Sequence, residues 1–233
     1  MSDQNYTLSS AAARERSLLR NVYIWMAAGL ALTGIVAYGV ATNPRILQMI
    51  FSSQFTFFGI IIAQFGLVLF LSARVMRMSV STATICFAAY AALTGVTLSS
   101  VFIAYTYSSI ASTFFITAGT FAGMSVYAVT TRRDLSGLGS YLMMGLIGII
   151  IASVVNIFLK SEAFNWIVSF AGVLLFVGLT AYDTQIIKRW SAEAGAGSDE
   201  ATFVRLSILG ALHLYLDFIN LFLYLLRIFG KRR

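Results

Sequence analysis

Long apolar runs separated by short polar breaks set the pattern of this chain. The runs occupy residues 21–42, 54–73, 80–105, 109–130, 139–158, 166–187 and 206–229. Each approaches or exceeds the roughly 20 residues that a helix needs to cross a hydrocarbon core about 30 Å thick. The breaks read "TNPR", "RVMRMS", "TYSS", "TRRDLSG", "KSEAFN" and "KRWSAEAGAGSDEATF", and "TYSS" is the slightest of them. In lipid a backbone must satisfy its own hydrogen bonds, which only helices and closed barrels do. A barrel strand shows about 10 alternating residues, so runs twice that long predict helices. The expected fold is an all-α membrane protein, with a polar tail over 1–20 and a seven-transmembrane-helix bundle over 21–233.

The last run is not a plain apolar span. Gly210, His213, Asp217, Asn220, Tyr224 and Arg227 recur at a 3-4-3-4-3 spacing, which places them on one helix face. A charge at the centre of a span costs about 2.5–3.5 kcal/mol on insertion scales. This face is therefore predicted to turn away from lipid, with the last helix central in the bundle. The preceding run ends "VGLTAYDTQIIKRW", where Asp183 lies about one turn before Lys188 and Arg189 and shares a face with Thr180. Small residues in "AAGLALTG", "AGTFAGMS" and "MGLIGIIIAS" read as close helix contacts.

Composition agrees with a membrane bundle. Hydrophobic residues make up 59% of the chain and charged residues 11%, against about 45–50% and about 25% in soluble domains. The net charge is +7, yet the cations gather between the runs, a topology signal and not a nucleic-acid surface. With the N-terminus cytoplasmic, ten Lys and Arg fall inside and six outside, four of the six being Arg227, Lys231, Arg232 and Arg233. A re-entrant last segment would bring that tail back inside, but the length of 206–229 favours a full crossing. The segment "MSDQNYTLSSAAARERSLLR" lacks the features of a cleaved signal peptide and reads as a cytosolic tail. Cys86 is alone in an apolar run, which excludes a disulfide framework. Trp25, Trp166 and Trp190 fall at span ends as interfacial anchors.

Asp183 and Asp217 flank one loop. Counted inward from Lys188 and Arg205, Asp183 lies 5 residues deep (188 − 183) and Asp217 lies 12 (217 − 205). At 1.5 Å per residue the offset is about 10 Å. Contact requires "EATFVRLSI" to be a helical extension that begins outside the membrane. Two carboxylates within hydrogen-bond reach cannot both ionise cheaply, so they share a proton and titrate as a pair. Such a pair suits a pH switch, a hard-oxygen site for Ca2+, a proton relay or a protease dyad.

"GLTAYDTQIIK" and "LYLDFINLFLYLLRIFG" resemble the paired signatures of the Bax inhibitor-1 (transmembrane Bax inhibitor motif) family. "YAALTGVTLSSVFIAYT", "STFFITAGTFAGMS" and "TTRRDLSGLG" resemble its bacterial branch, and the likeness runs from Asn21 to Arg233. The resemblance implies a seven-helix bundle with the last helix surrounded, and a pH-sensitive calcium leak channel of the bacterial inner membrane. It implies that Asp183 and Asp217 form the pH sensor, and that an arginine of the second helix, Arg74 or next Arg77, latches onto them. Some members carry an acid in the second helix, where this chain offers Gln64 in "IIAQFGLVLF". The resemblance implies no resident cofactor, with Ca2+ bound only in passage through Asp183 and Asp217. His213, Asn220, Gln64, Thr180 and Tyr224 are expected to support the pair.

Rival readings differ in class. An interaction protein could use the same bundle to modulate a membrane protease without ion flux. An intramembrane aspartyl protease matches Tyr182-Asp183, but "LYLD" stands where that family has Gly-x-Gly-Asp, so no enzyme is expected. A proton-coupled transporter lacks a visible substrate site. A retinal pigment needs a buried Lys, and His213 is the sole histidine, too few for a His-based metal site or a Ser-His protease. The expected partners are the lipid bilayer, Ca2+ or H+ as permeant or sensed ion, and a membrane protease, with no nucleic acid.

Overall fold

A computed structural model describes residues 2–193 and 199–233, with side chains for 15–192 and 199–233. The helices are α1 (Ser2–Ala41), α2 (Pro44–Phe51), α3 (Gln54–Arg74), α4 (Val80–Ala104), α5 (Tyr107–Thr130), α6 (Gly139–Leu159), α7 (Glu162–Glu193) and α8 (Glu200–Phe229). Among the described residues there is no strand, and seven helices are long and apolar enough to cross a membrane. Those spans are Glu15–Ala41, Gln54–Arg77, Val80–Ala104, Tyr107–Thr130, Ser136–Leu159, Glu162–Ala192 and Glu200–Phe229, one for each predicted run.

The breaks form where the backbone finds side-chain caps. Asn43 accepts hydrogen bonds from the N–H groups of Arg45 and Ile46, and Pro44 opens α2, a helix not foreseen in "TNPR". Thr106 caps α5, reducing the slight third break to Tyr105 and Thr106. The tail over 1–20 is not a separate element, because α1 begins at Ser2 and runs into the first span.

The chain forms two compact units. One comprises residues up to Ala104 with Lys188–Tyr215, the other Tyr105–Ile187 with Leu216–Arg233. In the first, α1 lies against α4 at backbone distance. Thr33 Oγ1 donates to the Ala91 carbonyl at 2.8 Å and meets the Tyr215 hydroxyl at 2.6 Å. The rings of Phe87 and Tyr90 pack edge-on against Tyr215. Gly95 permits the approach: a Cβ there would stand 2.7 Å from the Thr33 carbonyl oxygen and 2.8 Å from Val36 Cβ.

The second unit is built on the lower half of α8. Leu221 and Leu225 pack with Ile149 of α6 and with Val168, Leu175 and Phe176 of α7. Phe218 meets Phe114 and Phe121 of α5 at ring distances of 5.4 and 5.5 Å. Within the spans, α8 is the most enclosed, with 61% of its apolar window buried against 6% for α3 and for α6. Its buried side chains include Leu212, Leu214, Phe218, Leu221, Phe222 and Leu225, which cover about half of the helix circumference. That is the burial expected of a central helix, but it lies to one side of the polar stripe that predicted it: Asp217 is buried, His213, Asn220 and Tyr224 are half-buried and Arg227 is exposed. The outward residues of α3 and α6 are large and apolar, such as Phe55, Ile62, Phe158 and Ile157, as a lipid-facing surface requires.

The C-terminus resolves the question of a re-entrant end. Helix α8 is unbroken over 30 residues, about 45 Å at 1.5 Å per residue. Beyond it, the Lys231 N–H donates to Ser109 Oγ at 3.0 Å and the Thr106 N–H donates to the Lys231 carbonyl at 3.1 Å. The tail therefore lies at the α4–α5 turn, the end of the unit opposite Leu135 and Gln185, as a full crossing demands.

Gly95→Val should destabilise the detergent-solubilised protein by about 1–3 kcal/mol, the usual cost of overpacking. Gly34→Ala, where a Cβ meets nothing within 4 Å, should leave the unfolding midpoint almost unchanged. Equal midpoints for the two variants would refute the close α1–α4 approach.

Candidate functional site

Asp217 is 3% exposed, on α8 within the second unit. Its Oδ2 is buried with no hydrogen-bond partner. Polar side chains at such depth are nearly always satisfied, so an orphaned carboxylate oxygen is unusual. Asp183, half-buried on α7 in the same unit, is near enough for its charge to act on Asp217. The two acids of the paired motifs thus face a common region. Among the described residues no group of three His, Cys, Asp or Glu side chains converges.

Helix α8 begins ahead of the apolar run, as contact between the two acids would require. "EATFVRLSI" is helical from Glu200, and Asp199 caps it by accepting from the Thr202 N–H at 3.2 Å. Phe203 to Leu206 are half-buried while Ser207 and Ile208 are fully buried. Helix α7 continues to Glu193, past Lys188 and Arg189, so the predicted loop is shorter than its sequence; residues 194–198 of it lie outside the described residues.

The supporting residues are mostly committed to local bonds. Thr180 Oγ1 donates to the Phe176 carbonyl at 2.7 Å and Thr184 Oγ1 to the Thr180 carbonyl at 2.7 Å. Asn220 Nδ2 donates to the Leu216 carbonyl at 2.8 Å. The Tyr224 ring stacks on Phe176 with centroids 5.8 Å apart, over Gly172, where a Cβ would stand 2.7 Å from that ring. His213 lies in the first unit with its ring edge-on to Trp190 at 5.6 Å. Gln64 Nε2 donates to Thr94 Oγ1 at 3.0 Å and its Oε1 accepts from Thr97 at 3.2 Å. It joins α3 to α4, a structural task that accounts for a polar residue in an apolar run. The tryptophans divide: Trp166 is half exposed, whereas Trp25 packs on Phe87 and Trp190 on His213.

Arg74 and Arg77 are exposed, at the end of α3 and in the 3-10 turn after it, within the first unit. That turn is held by a third arginine. Arg205 donates to the carbonyls of Met76 at 2.9 Å and Met78 at 3.4 Å. Near the pair, Gln185 is a residue the motif reading passed over. Its Oε1 accepts the Leu135 N–H at 2.7 Å and its Nε2 donates to the Arg133 carbonyl at 2.9 Å, so the α5–α6 loop is tied to the turn of α7 that carries Asp183. An amide two residues after the acid was the available signal.

Residues 15–233 match the family described as inhibitor of apoptosis-promoting Bax1. The inner membrane protein YbhL of Escherichia coli is 52% identical over 218 residues, 94% of this chain and 93% of that one. An uncharacterized protein of Borreliella burgdorferi is 49% identical over 219 residues, 94% of each chain. An uncharacterized membrane protein of Streptococcus pyogenes is 34% identical over 229 residues, 97% of this chain and 96% of that one.

The Thr202 side chain beside Asp199 is the largest of the causes holding its carboxyl below the usual carboxylate range. A depressed folded value means that its stabilising effect is present above the unfolded value, about 3.9. That effect is lost as pH falls through the folded value. The protection of the Thr202 and Phe203 amides, taken relative to the free-chain exchange rate at each pH, should therefore fall in acid below about pH 4. Asp199→Asn, which caps without a charge, should remove that acid dependence; an unaltered profile would show that Asp199 is not the cap.

Proposed function

The chain belongs to the Bax inhibitor-1 family, and we propose that it is a pH-sensitive calcium leak channel of the bacterial inner membrane gated by Asp183 and Asp217. One observation carries this reading: a fully enclosed carboxylate on α8 has an orphaned oxygen within the field of a second acid on α7. A buried charge without a partner is expensive, and two acids side by side lower that cost by sharing a proton. Changing the pH alters the charge that α8 must bear. The helix then prefers one of two arrangements, as titrating pairs do in other switches.

In this reading Arg74, or next Arg77, latches the ionised pair, and the exposed position of both arginines leaves their side chains free to reorient. Calcium is the cargo. It takes 6–8 oxygen ligands at rest, and two carboxylates provide only part of such a shell. Water and backbone carbonyls complete it, and a weak, incomplete site lets an ion leave as readily as it enters. Cytoplasmic placement of the N-terminus follows the Lys and Arg bias counted above. The inner-membrane assignment draws on the E. coli relative.

Calcium flux into dye-loaded liposomes should vary with pH for the wild type. Asp183→Asn and Asp217→Asn should each flatten that profile, with Asp217→Asn the stronger because it removes the enclosed charge. Unchanged pH dependence in both variants would eliminate the pair as sensor. A wild-type protein with no flux at any pH would eliminate the leak itself and favour a protein that acts through partners.

A further inference from the structure

At the end of the second unit away from Gln185, a cavity of about 490 Å3 opens between the α6–α7 turn and the end of α8. Lys160, Arg227 and Arg232 line it, and Glu162 is its one lining acid. Three cations against one carboxylate leave a surplus of two positive charges (3 − 1). Among the described residues none of the three cations forms an ion pair. Arg227 lies over the Tyr224 ring at 5.2 Å, which orients its guanidinium without neutralising it.

The basic groups are held in place. The Tyr105–Arg232 bridge and the Lys231 bonds to Ser109 and Thr106 pin the tail, and Arg233 sits over the Tyr107 ring at 4.6 Å. Gly230 makes the turn possible, since a Cβ there would strike the Leu226 carbonyl and the Tyr105 ring. Lys160 occupies the left-handed region with φ 49°, ending α6 so that α7 can begin at once. Ser161 caps α7 by accepting the Phe164 N–H at 3.3 Å. The positive end of that long helix therefore opens into the cavity beside the three cations.

We propose that this cavity binds the phosphate of an anionic phospholipid headgroup. Its surroundings favour a lipid over a free anion. Phe158 is 81% exposed, Ile167 66% and Phe170 53%, all on the adjoining surfaces of α6 and α7. Acyl chains can lie along these side chains while the phosphate sits among Lys160, Arg227 and Arg232. Trp166 lines the cavity and is half exposed, the arrangement of an aromatic ring at headgroup depth.

The test uses the full chain in phosphatidylcholine vesicles that contain brominated phosphatidylglycerol or, at the same mole fraction, brominated phosphatidylcholine. The Trp166 emission is taken as the difference from Trp166→Phe. Brominated phosphatidylglycerol should quench it more strongly. Arg227→Gln and Lys160→Gln should each lower that preference about five-fold, the usual worth of one cation at a membrane surface, while Lys160→Arg should retain it. Arg45→Gln and Arg132→Gln, exposed cations outside the cavity, should have no effect. Equal quenching by the two lipids, or an equal loss in these last two variants, would overturn the site. Displacement of the lipid preference by millimolar inorganic phosphate would overturn the lipid assignment and make the occupant a free anion.

Discussion

A carboxylate in the middle of a membrane span can be kept only by enclosing the helix that bears it. Asp217 imposes that constraint on this chain. Lipid offers the acid no hydrogen bond and little dielectric screening, so the face of α8 that bears it must meet protein. The side chains of α8 that achieve this are not the polar ones. Leu212, Leu214, Leu221 and Leu226 are fully or almost fully buried, whereas His213, Asn220 and Tyr224 are only half-buried. An apolar residue on a membrane helix is at home in lipid or in protein. Its complete burial here marks the face on which α8 packs against protein.

Enclosure then has a steric consequence. In lipid, helices gain nothing by hiding apolar surface from water, so they associate through close contact of small residues. Gly95 lets α1 approach α4 at the Thr33 carbonyl, and Gly172 receives the Tyr224 ring. Neither position tolerates a larger side chain without movement. Other glycines of the small-residue runs, among them Gly34, Gly119 and Gly123, would meet nothing on gaining a Cβ. Small residues in a span sequence are thus a permissive signal, and only some of them mark a contact.

Much of the fold was legible because membrane physics writes itself in long runs. Each of the seven predicted runs has a matching span, with boundaries shifted most where the helices extend beyond the apolar stretch. Those extensions were not legible. Residues 200–205 and 188–193 mix charged with apolar side chains, and hydropathy ends a span where charges appear, although the backbone continues as helix until a cap or break intervenes. Asp199 marks the true start of α8, yet an isolated Asp in a polar loop is no stronger a signal than its neighbours. The acids themselves were visible, since charge in an apolar run is costly and rare. The roles of Gln64 and Gln185 were not, because a glutamine's partners come from other helices and cannot be read along its own.

The same geometry limits how α8 can respond to a change in charge. Its last turn is tied to the α4–α5 turn through Lys231 and to Tyr105 through Gly230 and Arg232. Asp217 lies 12 residues before Phe229 (229 − 217), about 18 Å along the helix axis. The first turns of α8 are tied as well, since Arg205 donates to the carbonyls of Met76 and Met78. Between the two ties Leu221, Leu225 and Leu226 are buried, so the acid sits on a helix that is packed along its length. The segment "GKRR", which reads as a topology anomaly by charge alone, is in the fold held against the α4–α5 turn.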